Sequence, residues 1–264
     1  MVDTEVSRPG PSHRAGTLTI GVAVAILLAR FVILFLGLQL AAAIGIEGWH
    51  SGLFVNVLVS IYAVILMSRY HLWTATGMTT LWRSRMALIW LLPLIAEAGF
   101  WALGGLVEQP PGFGLWALTL LLVGVNEELI SRGVILSRLR SAYRPLMAVI
   151  IGAALFGLQH LSALALTSRA VDDVLGNVLF SAIYGFALGA YQLRFRWLWP
   201  LILIHAATDF TTVLSASFPP EILIIGLHVL IIAYGLALIS GRADGDGAAA
   251  GPRRWWRSPD SSPG

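Results

Sequence analysis

Residues 115–139, LWALTLLLVGVNEELISRGVILSRL, decide the fold class of this chain. The stretch is long and apolar enough to cross a bilayer as a helix, since about 20 residues span the hydrocarbon core. Near its middle it nevertheless carries two adjacent carboxylates, Glu127 and Glu128. Charged groups at that depth are costly and usually mark a functional site with a partner nearby. The sequence therefore predicts a membrane helix that carries chemistry.

The composition extends this interpretation to the whole chain. Of the 264 residues, 57% are hydrophobic and only 12% are charged, whereas an ordinary soluble domain has about 25% charged residues. We therefore predict an all-α, polytopic integral membrane protein with a single membrane domain. The absence of cysteine excludes disulfides and a thiol nucleophile, and no basic patch indicates a nucleic-acid partner.

Eight apolar segments have about the length of a membrane span. They cover approximately residues 17–45, 51–68, 86–107, 115–138, 146–167, 172–192, 197–216 and 221–240. We therefore predict a transmembrane domain of about eight helices over residues 17–240. The polar ends, residues 1–16 and 241–264, are rich in Gly, Pro and Ser and are expected to be disordered cytoplasmic tails.

The loop arginines orient the chain in the membrane. In an eight-span arrangement nearly all of them fall on one side, as Arg69, Arg138 and Arg194 do, whereas the opposite loops hold only Arg169. Positive residues concentrate in cytoplasmic loops, so both termini are expected in the cytoplasm. We accordingly expect a multi-pass protein of the cell (plasma) membrane of a bacterium.

Two later spans bring further polar groups to membrane depth. Span five contains His160, and span seven contains His205 and Asp209, which share a helix face because they are four residues apart. Counted along each helix from its cytoplasmic end, these residues and Glu127 lie between about 12 and 21 Å deep. Side chains from three helices are therefore expected in one layer, with the active site inside the helix bundle.

Within span four, the two glutamates are expected to have different tasks. Glu128 and Arg132 are four residues apart, so they share a helix face and can form an ion pair. Glu127 points about 100° away from Glu128 and is predicted to be available for other work. Asn126 is expected either to support the site or to make a hydrogen bond between helices.

An acid and two imidazoles at low dielectric suit the hydrolysis of a peptide bond. A buried carboxylate can take a proton from water, one histidine can hold that water, and the other can stabilise the oxyanion. The same side chains, Glu127, His160, His205 and Asp209, could instead bind a divalent metal such as zinc. The spacing leaves a metal-free glutamate mechanism and a zinc mechanism equally open.

The three motifs in this order resemble the CPBP family, which includes the type II CAAX prenyl proteases, the Ras-converting enzyme and bacteriocin-processing proteins. The motifs are NEELISRG (126–133), FGLQH (156–160) and HAATD (205–209), and the matching core covers about residues 115–216. The resemblance implies an intramembrane endopeptidase, often labelled a metalloprotease. It implies a membrane-embedded or lipidated protein or peptide substrate, CAAX-like or bacteriocin-like, taken from the lipid bilayer.

The resemblance also assigns roles to residues of this chain. Glu127 and His160 are expected to activate water, and His205 and Asp209 to stabilise the oxyanion. The residues expected to support the site, Phe156 chiefly by packing, are Glu128, Arg132, Phe156 and Asn126.

The chain departs from the resembled pattern at Asp209, where the prenyl proteases tend to have asparagine. An ionised aspartate would repel an oxyanion, so Asp209 is expected to be protonated, to orient His205, or to bind a metal. This departure favours the metal hypothesis slightly. It also weakens the expectation that prenylated CAAX proteins are the substrate.

Two charged residues outside the motifs lie in other spans. Arg30 and Glu97 occur in spans one and three at similar depths, about 20 and 17 Å by the helical rise, and we predict that they pair.

Two other functions stay open. One is a non-catalytic immunity or scaffold protein on the same fold. The other is a proton-coupled transporter, although no inverted repeat favours it.

Overall fold

The structure, a computed structural model, describes residues 13–243 and the side chains of residues 16–241. Within that range the chain is helical and has no strand, so the predicted all-α class is confirmed. The α-helices are α1 (His13–Ala43), α2 (Trp49–Arg69), α3 (Arg85–Ile89), α4 (Leu92–Trp101), α5 (Phe113–Glu128), α6 (Leu136–Ala142), α7 (Pro145–Leu158), α8 (Ala163–Leu166), α9 (Val171–Phe195), α10 (Leu198–Val213) and α11 (Glu221–Ala243). Short 3-10 segments follow α4 and α7, at Ala102–Gly104 and Gln159–Ser162.

The chain is a multi-pass membrane protein. Seven stretches of the described residues are long and apolar enough to cross a bilayer: Gly16–Ala43, Trp49–Arg69, Arg85–Gly104, Phe113–Ala142, Pro145–Leu166, Val171–Phe195 and Glu221–Gly241. The remaining predicted segment, the seventh (197–216), forms α10, which has only 16 residues. Each predicted segment is thus helical, and this one is shorter than the seven stretches that can cross a bilayer.

The helical bundle extends slightly beyond the predicted transmembrane domain. Helix α1 begins at His13 and α11 ends at Ala243, so the inner ends of the predicted tails, residues 1–16 and 241–264, are helical. The rest of both tails lies outside the described residues.

The segment that follows the short α10 pairs with the loop that follows the third span. Leu106 and Ser215 form an isolated antiparallel bridge. Beside it, the Val107 N–H donates to the Leu214 carbonyl at 2.8 Å, and the Ala216 N–H donates to the Gly105 carbonyl at 2.9 Å. We call this backbone pairing of residues 105–107 with 214–216 the loop seam. It connects the end of the third span to the end of α10.

Helix α5 lies between α2 and α10, and α7, α9 and α11 pack side by side next to this group. Gly124 allows the close approach of α5 and α10, because a Cβ there would lie 2.7 Å from the Ile202 carbonyl oxygen. The carboxylates one turn further along α5 are thereby brought close to the polar side chains of α10.

A π-helical turn, Leu129–Ile135, joins α5 to α6 and begins directly after Glu128. All seven of its residues are buried. Such turns are rare and frequently occur at functional sites. Here the π-helical turn carries Arg132 into the interior, beside the glutamates.

Candidate active site

The two adjacent glutamates each bind an arginine of their own. Glu127 Oε1 accepts a hydrogen bond from Arg30 Nη2 at 2.7 Å, and both side chains are more than nine-tenths buried. Glu128 Oε1 accepts from Arg132 Nη1, also at 2.7 Å, with both side chains almost fully buried. Because α1 supplies the first arginine and the π-helical turn the second, the two ion pairs lie on different sides of α5.

The predicted pairing of Arg30 with Glu97 is wrong. Arg30 reaches Glu127 instead, and Glu97 accepts hydrogen bonds from Trp101 Nε1 at 2.6 Å and from Thr208 Oγ1 at 2.7 Å. Depth along a span predicted which residues share a layer, but it could not predict towards which neighbour each side chain turns. Glu127, which was expected to be available for other work, binds Arg30 through one oxygen and keeps the other without a partner.

His205 is oriented by Glu128. Its Nδ1 lies 2.7 Å from Glu128 Oε1. An ionised carboxylate can only accept, so Nδ1 carries the hydrogen and donates it. Glu128 therefore does more than neutralise Arg132, because it also sets the tautomer and the direction of the imidazole ring.

The other ring nitrogen of His205 faces two carboxylates. Its Nε2 lies 3.7 Å from Glu127 Oε2 and 3.6 Å from Asp209 Oδ2. Both distances are longer than a direct hydrogen bond and suit groups that share a water molecule. Glu127 Oε2 is buried and has no hydrogen-bond partner among the described residues. Asp209, with 29% of its side chain exposed, is the most accessible member of this set.

His160 is held on the 3-10 segment that follows α7. Its Nδ1–H donates to the Phe156 carbonyl at 3.0 Å, which leaves Nε2 of the neutral ring able to accept. His160 and Glu127 also interact electrostatically. The structure thus keeps His160 near the acid that it was predicted to assist, with its ring orientation set by its own helix.

Phe156 does more than fill space. Its ring lies edge-on to His160 and to His205, with centroids 5.4 and 5.8 Å apart. The Arg132 guanidinium lies 3.9 Å above the same ring. Gly185 makes room for the Phe156 ring, since a Cβ at position 185 would approach Phe156 Cδ1 to 2.8 Å. Phe156 therefore contacts both histidines and stabilises the Arg132 charge through a cation–π contact.

A second polar layer behind His205 was not predicted from the sequence. The Thr208 hydroxyl donates its one hydrogen to Glu97. It can therefore only accept from the Tyr184 hydroxyl, which lies 3.1 Å from Thr208 Oγ1. The Tyr184 ring also lies edge-on to His205 at 5.8 Å. The buried Glu97 was the only signal in the sequence for this layer, which fixes α10 against α4 and α9.

Asn126 does not contact the catalytic candidates through any described hydrogen bond. Its Nδ2 donates to Asn56 Oδ1 at 3.0 Å and to the Leu122 carbonyl at 2.6 Å. Of its two predicted roles, this contact matches the hydrogen bond between helices, here between α5 and α2.

The residues predicted as possible metal ligands were Glu127, His160, His205 and Asp209. Among residues 16–241, no three His, Asp or Glu side chains are arranged to hold a metal ion. One oxygen of Glu127 is bound to the Arg30 guanidinium, and Nδ1 of His205 donates to Glu128. Each of these side chains keeps another donor atom, such as the unpartnered Glu127 Oε2, but the Arg30 guanidinium bound to Glu127 would repel a cation. Because residues 16–241 also contain no arrangement of three ligands, the site does not fit a metal.

Residues 109–211 match the protein-family model described as "Type II CAAX prenyl endopeptidase Rce1-like". That range contains the three motifs and the site residues of α5, the π-helical turn, α7 and α10. No curated protein and no solved structure shows a significant match. The family predicted from the motifs is confirmed for this segment of the chain.

Proposed function

We propose that this chain, whose residues 109–211 belong to the type II CAAX prenyl endopeptidase Rce1-like family, hydrolyses a peptide bond within the membrane with water activated by Glu127 and His160. At the level of the family, the protein is a CAAX-type intramembrane protease. The observation that carries the finer proposal is the convergence of Glu127 Oε2 and Asp209 Oδ2 on His205 Nε2, at 3.7 and 3.6 Å, inside the bundle.

Glu127 is the general base in this mechanism. Its Oε1 is held by Arg30, so the unpartnered Oε2 is the oxygen that takes a proton from water. The water oxygen forms a bond to the carbonyl carbon, and the carbonyl electron pair moves to the oxygen. His160 accepts a hydrogen bond from the same water at Nε2. When the C–N bond breaks, Glu127 returns the proton to the departing amine.

His205 stabilises the oxyanion that forms in the first step. Its Nδ1–H is committed to Glu128, so Nε2 is the nitrogen that faces the reacting atoms, and in the protonated ring it donates to the oxyanion. Asp209, four residues on in the same helix, orients the ring and balances its charge. In this role the aspartate that stands at position 209 in place of asparagine acts through His205 and does not need to touch the oxyanion.

The substrate proposed is a membrane-embedded or lipidated protein or peptide, CAAX-like or bacteriocin-like. The site residues lie on helices whose outer faces are apolar, as the exposed Leu118, Ile150 and Leu203 illustrate. A substrate that is itself held in the bilayer is concentrated beside such helices. The partners are therefore the substrate chain and the lipid bilayer.

A heavy-oxygen experiment tests hydrolysis directly. Purified protein in proteoliposomes is given a prenylated peptide with a CAAX-like end, in water enriched in oxygen-18. We expect two fragments, the N-terminal one with a single heavy oxygen in its new carboxylate by mass spectrometry. The unprenylated peptide, given in parallel, reports whether the lipid is required.

The alternatives give other results in the same vesicles. A scaffold or immunity protein would bind the peptide and leave it intact, and a transporter would accumulate a solute without producing fragments. Intact peptide together with unchanged membrane peptides in cells expressing the protein would contradict an endopeptidase. Cleavage of the unprenylated peptide alone would retain the endopeptidase and reject a lipidated substrate.

We also propose that both termini face the cytoplasm of a bacterial plasma membrane. The support is the concentration of arginines in alternate loops. Because the chain has no cysteine, single cysteines can report topology in intact cells. The exposed Ser141 and Ser168 flank the fifth span at opposite ends. We expect a membrane-impermeant maleimide to label Ser168→Cys and to leave Ser141→Cys unlabelled; the reverse pattern would invert the topology.

A further inference from the structure

Arg30 has a donor left over beside the general base. Its Nη2 binds Glu127 Oε1, and its Nε is buried without a hydrogen-bond partner. Nε and Nη2 share one edge of the planar guanidinium, so their N–H bonds point the same way. The unused N–H is therefore directed towards the region occupied by the Glu127 carboxylate. With 9% of its side chain exposed, Arg30 is shielded from bulk water.

The oxyanion proposed above needs more than one donor. His205 supplies one N–H, but Asp209 is a carboxylate and, when ionised, can only accept. Among the described side chains, the buried donors without a partner are Arg30 Nε, Trp49 Nε1, Ser131 Oγ, Arg132 Nη2 and Gln159 Nε2. Of these five groups, Arg30 is the one that binds Glu127 directly. Arg132 instead stacks on Phe156 and reaches towards Gly185.

We propose that Arg30 is a catalytic residue whose Nε–H and positive charge stabilise the oxyanion of the scissile peptide bond. The inference rests on the proposed endopeptidase function. It places part of the active site on α1, outside the segment 109–211 that matches the family. The same guanidinium binds Glu127 and the carbonyl oxygen, and so holds the base next to the carbon that the water attacks.

The chemistry of this step is balanced without another reactant. One water proton passes to Glu127, the water oxygen bonds to the carbonyl carbon, and the displaced electron pair becomes the oxyanion at Arg30 Nε and His205 Nε2. The unpartnered Nε–H of Arg30 could instead bind the terminal carboxylate of a substrate, but this explains the position of Arg30 less well. In a CAAX-like chain that group lies three residues past the scissile bond, roughly 10 Å away when extended, whereas Arg30 contacts the base itself.

The test compares ground-state and transition-state binding in Arg30→Gln and Arg30→Lys. The probes are the cleavable peptide and a peptide phosphinate, whose tetrahedral anionic oxygen stands in for the oxyanion. We expect Arg30→Gln to lower kcat by roughly 10²–10³-fold, as loss of one oxyanion donor does. The phosphinate should bind weaker by a similar factor, while the Kd of the peptide stays within a few-fold of wild type.

Arg30→Lys keeps the positive charge beside Glu127 but lacks the forked edge. We expect it to fold, to bind the peptide normally and to recover only part of the lost kcat. It also gives a result if Arg30→Gln does not fold. The control, Arg169→Gln, breaks an ion pair with Asp173 that is partly exposed, and should leave both binding constants and kcat unchanged.

Two outcomes would overturn the role of Arg30. One is an unchanged kcat in folded Arg30→Gln, and the other is an equal loss of peptide and phosphinate binding, which would indicate a structural ion pair. Either can occur while Glu127→Gln remains inactive, so the endopeptidase proposal would survive. Full activity of Glu127→Gln would instead remove the proposed function itself.

Discussion

Glu127→Gln is expected to abolish cleavage, with a loss of about 10²–10⁴-fold or more in kcat, the range of general-base contributions. Glutamine cannot take a proton from water, yet it keeps the shape of the side chain. Its amide oxygen can still accept the hydrogen bond from Arg30 Nη2, which now joins Glu127 Oε1 at 2.7 Å. The bundle should therefore assemble with reduced stability and without activity.

The measurement separates chemistry from folding. Size-exclusion chromatography and binding of the uncleaved peptide establish that Glu127→Gln is folded, and fragment release in proteoliposomes measures the activity. Glu47→Gln, which makes the same change at an exposed position between α1 and α2, serves as the control and should keep wild-type activity. Activity above a tenth of the wild type in Glu127→Gln would reject Glu127 as the base.

Glu128→Ala is expected to damage both stability and activity. It leaves the Arg132 guanidinium buried without its carboxylate, and breaking a buried pair in this way costs about 3–5 kcal/mol. It also removes the acceptor of His205 Nδ1, so the imidazole loses its fixed tautomer and direction. We expect a large fall in the unfolding midpoint in detergent, and little cleavage by whatever folds.

A double variant separates the two effects of Glu128. Glu128→Ala with Arg132→Met removes the unpaired charge, and should restore much of the stability without restoring cleavage. The control is Asp173→Ala, which breaks the exposed ion pair with Arg169, also four residues apart on the sequence. Exposed pairs contribute little, so the control should unfold as the wild type does. Recovery of cleavage in the double variant would show that His205 does not need Glu128.

Hydrophobic runs and motif order made much of the fold predictable. A stretch of about 20 apolar residues has few alternatives to a membrane helix, so the positions of the spans followed from the sequence. The layer that contains Glu127, His205 and Asp209 was predicted from depth alone, because the rise per residue of a helix is nearly constant. The grouping of these three side chains needed no knowledge of how the helices pack.

The direction of each side chain could not be predicted in the same way. Arg30 has Glu97 and Glu127 at comparable depth, and only the packing of α1 decides between them. The π-helical turn after Glu128 was also invisible, since no residue pattern in Leu129–Ile135 distinguishes it from an α-helix. Thr208 gave no signal because a threonine in an apolar helix usually bonds its own backbone, whereas here it reaches Glu97.

The shortness of α10 creates a hydrophobic mismatch that the bundle must accommodate. Sixteen residues extend about 24 Å, so the chain after Val213 leaves the helix before it has crossed a full hydrocarbon core of about 30 Å. Amides at that level cannot be solvated by lipid. The loop seam supplies their partners, so two irregular segments satisfy each other as adjacent strands do. A helix too short to cross alone can in this way present its histidine at mid-membrane.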